Sequence, residues 1–334
     1  MIRNSCIKPV VAFLFLAFQV LAGQAQNNNP QLYKSVLVVA KDGSGDYITI
    51  QQAIDAVRAY SPEPLLIKIK NGVYKEKLVI PSWVTNITLE GENREGTVIT
   101  NDDYSGKYIH ADTVTNNRRY STFSSYTMWV QGNDVTITNL TVQNTAGRVG
   151  QAVALHVDGD RFVMKNCNLL GNQDTLLTAG DSTRQYYYNC YIEGTTDFIF
   201  GPATAVFDNC EIKSLSDSYI TAASTPQWKE YGYVFFNCRI TADAAAKKVY
   251  LGRPWRPYAR TVFIGCELGS HIRPEGWDNW RNPANEKTAF YAEYKSAGPG
   301  AAPGKRAGWS HQLSKKQVKR YTLKNIFAGW RPKP

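Results

Sequence analysis

Two aspartates stand at the same offset from two similar tetrapeptides. Asp174, in GNQDTLL (171–177), follows Cys167 of MKNC by seven residues; Asp197, in GTTDFIFG (194–201), follows Cys190 of YYNC by seven. The theme recurs as FDNC at Cys210, FFNC at Cys238 and FIGC at Cys266, each with an aliphatic residue two positions beyond the cysteine (Leu169, Ile192, Ile212, Ile240, Leu268). If such units stack as strands, the two carboxylates fall on adjacent rungs about 4.8 Å apart. Neighbouring carboxylates do not ionise independently, so one keeps a proton at neutral pH. That supplies a general acid and, beside it, a nucleophile or base. Asp217 also lies seven residues after Cys210, so the offset alone does not single out the pair.

Other residues could serve the same chemistry. YLGRPW (250–255) holds Arg253 between Gly252 and Pro254, next to Trp255. A guanidinium fixes a carboxylate through charge-assisted hydrogen bonds, and an indole stacks on a sugar face. Gln173 precedes Asp174, and Gln151 opens QAVAL (151–155) one coil earlier. Amide N–H groups can stabilise a developing oxyanion, although both glutamines read equally well as turn formers. Burial beside Phe198 and Phe200 raises a carboxyl pKa, and a nearby cation lowers it. Competing chemistries lack their parts. His110, His156, His271 and His311 have no metal spacing, and there is no Cys-x-x-Cys pair, no G-x-S-x-G elbow and no dense acidic cluster. DGSGDY (42–47) lacks the Lys-Ser/Thr of a phosphate loop and reads as a turn. No metal and no cofactor are expected.

The elements that must carry these residues are short strands. The cysteine units recur at intervals of 23, 20, 28 and 28 residues, the mark of a solenoid in which each coil contacts only its neighbours. Strands are expected at 36–40, 65–70, 77–80, 86–91, 97–100, 127–130, 135–144 and 152–157. Thr49 to Ala59 reads as an amphipathic helix that caps the first coil. Many short strands also suit a sandwich, but the recurring Asn-Cys unit favours an all-β parallel β-helix. Segments 101–126 and 271–289 are expected as flanking loops, and Leu313 to Tyr321 as a helix. The cysteines share one repeat position. A spacing of about 4.8 Å is long for the Cβ separation of a disulfide, so an inward ladder of free thiols is expected. Asn86 and Asn139 open glycosylation sequons within expected strands and are read as unmodified.

Residues 1–25 read as a signal peptide, with Arg3 and Lys8 before the apolar run Val10–Ala22, and a retained anchor helix as the alternative. A leader of residues 26–35 and one domain over 36–332 follow. Loss of Arg3 and Lys8 lowers the formal charge from +10 to +8. Such a chain attracts polyanions, and charge alone does not choose between nucleic acid and acidic polysaccharide.

QAVAL, GNQDTL, GTTDFIFG and LGRPW, in this order, resemble the pectin methylesterase family. So do AKDGSGDYITIQQAIDAV (40–57), NGVYKE (71–76), TFSS (122–125), GWDNW (276–280) and FYAEYKSAGPGA (290–301). The resemblance spans about residues 36–332. It implies a right-handed parallel β-helix that hydrolyses galacturonate methyl esters in pectin to pectate and methanol, without cofactor. Asp197 would then be the nucleophile and Asp174 the acid, then base. Gln173 would stabilise the oxyanion with Gln151 beside it, Arg253 would hold Asp197 ionised, and Trp255 and Thr122 would contact substrate. The sequence departs from the family's common form at Leu177, Thr196, His156, Ser125 and Tyr126, which touches subsite preference. No inhibitory pro-region is expected ahead of the domain. The implied partner is methyl-esterified pectin, with no nucleic acid, and with no membrane contact after signal cleavage. A secreted or periplasmic monomer is expected. Two rivals remain: a glycosidase or lyase of acidic polysaccharide on the same fold, and a β-helix that binds polysaccharide without chemistry. Carboxylates about 5 Å apart suit a retaining glycosidase, but such an enzyme has no oxyanion for flanking amides to stabilise.

Overall fold

A computed structural model describes residues 34–109 and 118–333. The signal peptide and most of the leader lie outside the described residues. Within them the chain winds through three parallel sheets of eleven, eight and seven strands. One coil runs Arg184–Tyr188, Tyr191–Gly194, Ile199–Gly201, and the next Thr204–Asp208, Glu211–Ser214, Tyr219–Ala223. Each strand pairs in parallel with its counterpart one coil on, so that Tyr187, Phe207, Phe235 and Phe263 are in register. This is the expected right-handed parallel β-helix.

The Asn-Cys repeat has two separate physical causes. Asn139, Asn166, Asn189, Asn209, Asn237 and Gly265 stand at the corner between the first and second sheets, with φ between 50° and 65°. A left-handed backbone costs most L-residues about 1–2 kcal/mol, and Asn and Gly bear it best. The residue after each corner turns inward. Leu140 and the five cysteines are at most 2% exposed, and the thiols are free. Each thiol donates to a carbonyl of the preceding coil, as Cys190 does to Met164 and Cys238 to Phe207, both at 3.4 Å. Behind them Tyr187, Phe207, Phe235 and Phe263 stack at centroid spacings of 4.8, 4.6 and 4.3 Å.

The N-terminal helix is shorter than expected, Ile50–Asp55, with Thr49 Oγ1 accepting from Gln52 N. It buries Ile50, Ala53 and Ile54 over the first coil and ends before Tyr60, whose φ of 51° no helix can hold. The stretch 135–144 is two strands, Thr136–Thr138 and Thr141–Asn144, because Asn139 turns the corner between them. Of the helix expected over 313–321 only Lys315–Val318 forms, and a second short helix, Leu323–Ile326, follows beyond it. Ser314 and Thr322 each cap a new start, and the second turn lays Ile326 and Phe327 on Val163, Tyr186, Val206 and Val234 of the first sheet. Segments 102–109 and 271–289 are loop-like, the latter with a 3-10 turn at Pro283–Lys287. No helix among the described residues is long and apolar enough to cross a membrane.

Candidate active site

The third sheet carries the site on its outer face. Its strands include Met128–Val130, Leu155–Val157, Leu176–Thr178 and Ile199–Gly201. Met128, Leu155, Leu176 and Ile199 align and fill the core. Side chains alternate across a strand, so Trp129, His156, Leu177 and Phe200 form the outer row.

Asp174 and Asp197 each stand two residues before their strand, at matched positions of consecutive coils. Both have left-handed backbones, with φ of 66° and 49°, which takes their side chains out of the regular alternation. Each N–H is fastened to the following coil: Asp174 donates to Thr196 O at 3.1 Å and Asp197 to Tyr219 O at 2.8 Å. Both residues are 7% exposed. Asp217 shares the cysteine offset but is exposed and accepts from Lys247 N and Lys248 N, so it has a turn-forming role.

Arg253 follows strand Tyr250–Gly252, two coils beyond Asp197. Its Nε donates to Asp197 Oδ1 at 3.0 Å and its Nη2 to Oδ2 at 2.6 Å, a two-pronged fork. The guanidinium carbon also lies 3.8 Å from the ring centroids of both Tyr219 and Trp280. Gly252 lets the chain pass: a Cβ there would meet Thr221 Oγ1 at 2.0 Å.

The pair is electrostatically unequal. Burial pushes the Asp174 carboxyl up to about 8, the charge of Asp197 adds to this, and Arg253 opposes it. Asp174 has no side-chain hydrogen bond among the described residues. Burial raises Asp197 as well, against the hydrogen bonds and charge of Arg253, with Asp278 adding a smaller upward push. Arg253 therefore does not bring Asp197 below the ordinary carboxylate range; burial outweighs it. The fork does decide between the two, since only Asp197 has a cation bonded to its oxygens. The fork favours the charge on Asp197 and the proton on Asp174.

Gln151 and Gln173 form a parallel bridge and are half-buried. Neither side-chain amide has a hydrogen-bond partner among the described residues, so both can donate to a substrate oxygen. Trp255 is half-buried, its ring 5.9 Å from that of Phe200. Thr122 opens the 3-10 turn Thr122–Ser124, whose Phe123 carbonyl faces His156 Nδ1 at 3.3 Å. Sequence reasoning missed Tyr219 and Trp280, the two faces of the guanidinium clamp. Trp280 lies in the GWDNW motif, which signalled similarity but no role. Among the described residues no group of three or more His, Cys, Asp or Glu side chains gathers for a metal.

A parallel β-helix with an arginine-forked aspartate, a second buried aspartate one coil away and two uncommitted amides has the parts of a hydrolase. The chain belongs to the Pectinesterase family, whose model matches residues 36–329. It is 39% identical over 279 residues to Pectinesterase 31 of Arabidopsis thaliana, covering 82% of this chain and 86% of that one. It is 39% identical over 314 residues to a probable pectinesterase/pectinesterase inhibitor of Brassica napus, covering 89% of this chain but only 52% of that one. Among solved structures, pectin methylesterase from carrot superposes with a TM-score of 0.79 at 35% identity, covering 88% and 93% of the two chains. PemA, the pectin methylesterase from Erwinia chrysanthemi, gives 0.77 at 31%, covering 91% and 99%. A pectin methylesterase in complex with a hexasaccharide gives 0.76 at 32%, covering 89% and 98%.

Proposed function

We propose that this enzyme hydrolyses the methyl esters of galacturonate residues in pectin, releasing methanol and leaving pectate. The observation that carries the reading is the inequality of the buried pair: an Asp197 gripped by Arg253 beside an Asp174 whose carboxyl has no hydrogen-bond partner among the described residues.

The mechanism follows from that inequality. An Asp197 oxygen attacks the ester carbonyl carbon, and the electron pair of the C=O bond moves to oxygen. Gln173, with Gln151 beside it, donates N–H groups to this oxyanion. As the intermediate collapses, the C–O bond to the methoxy group breaks and Asp174 gives its proton to the departing oxygen, so methanol leaves. An anhydride now joins Asp197 to the galacturonate. Asp174, ionised by that transfer, takes a proton from water, whose oxygen attacks the galacturonyl carbon. The bond to Asp197 breaks, and both aspartates return to their starting states. Trp255 and Thr122 contact the sugar chain, and the basic surface of the mature protein draws in the partly de-esterified polyanion. Residues 1–25 act as an export signal, and the enzyme works as a secreted or periplasmic monomer.

The test is incubation with methyl-esterified pectin while methanol, titratable carboxylate and chain length are followed together. Methanol and carboxylate rising in equal amounts at constant chain length support the esterase. Chain shortening without methanol would replace it with a glycosidase or lyase. Binding without either product would leave a polysaccharide-binding β-helix.

A further inference from the structure

His156 sits in strand Leu155–Val157, on the outer row of the third sheet, two coils before Phe200. Its side chain is 6% exposed. The ring lies flat on Trp129, centroids 5.1 Å apart at 18°, with Tyr126 edge-on at 6.3 Å. Each ring nitrogen faces an oxygen. Nε2 is 3.1 Å from Asp158 Oδ2, and Nδ1 is 3.3 Å from the main-chain carbonyl of Phe123. A carbonyl only accepts, and so does an ionised carboxylate. Neutral imidazole has one N–H and satisfies one of these oxygens; imidazolium satisfies both.

Asp158 is set up to stay ionised. Burial pushes its carboxyl up, but the hydrogen bond and charge of His156 and the indole N–H of Trp129, 2.6 Å away, bring it below the usual carboxylate range. Among the described residues a further charge on this side is Lys77, 4.5 Å from the centroid of the Tyr126 ring and paired with Asp103 at 2.7 Å. The neighbouring strands offer Trp129 and Leu177, both uncharged.

The carbonyl that His156 reaches belongs to the turn Thr122–Ser124. The two ends of that turn are held otherwise: Lys77 Nζ donates to Ser124 O at 2.7 Å, and Ser125 Oγ donates to Thr122 O at 2.7 Å and accepts from Val153 N at 3.1 Å. Phe123 is 53% exposed, and its carbonyl has no other partner among the described residues.

We propose that His156 is a positioning residue whose imidazolium clasps the Thr122–Ser124 turn to the outer row of the third sheet and so holds Phe123 where substrate passes. This rests on the esterase reading of the site. When the ring loses a proton it keeps the charge-assisted bond to Asp158 and drops the Phe123 carbonyl. Phe123 then loses its tether to the third sheet, while the Asp174–Asp197 pair does not change. Substrate affinity therefore falls as pH rises through the histidine range, and turnover of bound substrate does not follow it.

The experiment measures KM and kcat for methyl-esterified pectin from about pH 5.5 to about 7.5, the span in which histidine changes charge. Wild-type KM should rise about fivefold, which converts to about 1 kcal/mol, the ordinary worth of one hydrogen bond. His156→Phe keeps a ring against Trp129 but has no N–H, and should show the high KM at every pH with kcat retained. Asp158→Asn keeps an acceptor for Trp129 but removes the charge, and should move the inflection to lower pH. A flat wild-type KM, or an inflection that stays in place in Asp158→Asn, overturns the clasp. A readout independent of catalysis comes from the ¹⁵N shifts of the His156 ring and the amide of Ser124. Both ring nitrogens protonated in acid, with the amide shifting at the same midpoint, support the clasp even in a protein that releases no methanol, where the esterase reading alone would fall. A ring already neutral at about pH 5.5 refutes it.

Discussion

Replacing Arg253 by Ala removes two hydrogen bonds from Asp197, at 3.0 and 2.6 Å, together with the only cation bonded to the pair among the described residues. The ionised form of Asp197 loses these partners and the protonated form loses little, so proton affinity rises. Hydrogen bonds to charged groups contribute about 1.5–3 kcal/mol each, and one pKa unit is about 1.36 kcal/mol. Solvent entering the vacated site offsets part of this, which leaves an upward shift of about 1–2 units. Asp174 should rise less, because Arg253 acts on it through charge alone. The acidic limb of the kcat/KM profile on methylated pectin should thus move up by about 1–2 units and the basic limb by less. Below the limb, the ionised fraction of Asp197 falls about 10- to 100-fold. Arg253→Lys should sit between the two, since an ammonium keeps the charge but loses the planar fork between Tyr219 and Trp280. Methanol release measured across pH for the three proteins decides. An unmoved acidic limb in Arg253→Ala with near-normal rates would refute the reasoning and leave the activation of Asp197 without a cause.

Four further outcomes are expected. Asp174→Asn should lower methanol release by about 10²–10⁴-fold, the usual contribution of a general acid. The folded-state pKa of Asp174 lies above its unfolded value, so its contribution to stability is full in acid and is lost as pH rises towards about 8. The Asn variant escapes that loss: its melting temperature should exceed the wild type's near pH 8 and converge with it near pH 4, and a pH-independent difference would contradict the shift. Gln173→Ala should cut kcat by about 10²–10³-fold if its amide meets the oxyanion, with Gln151→Ala milder, and a change confined to KM would reassign Gln173 to binding. Asn209→Ala should cost about 1–2 kcal/mol in urea titration because φ is 54° there, whereas Asn209→Gly should be nearly neutral.

The coils were legible in the sequence because their two constraints are local. Each corner needs a residue that tolerates a left-handed backbone, and each following position needs a small apolar one, so Asn-Cys prints the period directly. The aspartate pair was legible for the same reason, since stacking fixes register and register fixes neighbours. The clamp on Arg253 was not, because Tyr219 and Trp280 reach it from a neighbouring coil and from a loop more than twenty residues further on. No short-range pattern records that meeting. The tail failed differently: Leu313 to Tyr321 has a helical pattern, but only Lys315–Val318, capped by Ser314, is helical, and Thr322 starts a second short helix that packs on the apolar outer face of the first sheet. The clasp at His156 depends on a main-chain carbonyl, which no side-chain pattern announces.

The ladder of thiols equips the protein to report its own unravelling. Cys167, Cys190, Cys210, Cys238 and Cys266 mark five successive turns of the solenoid, none is bridged, and burial pushes the Cys167 thiol up to about 12. An alkylating reagent must reach the sulfur, and all five are buried, so in the native protein it finds none of them. Solenoid stability is close to a sum of contacts between adjacent turns, so the ends can fray while the middle holds. Pulse alkylation in rising denaturant, read peptide by peptide, would then give the order in which turns detach without any engineered label. Simultaneous modification of all five would mean that the stack opens as one unit, and modification beginning at Cys266 would show a C-terminal fray advancing towards the turns that hold the aspartates.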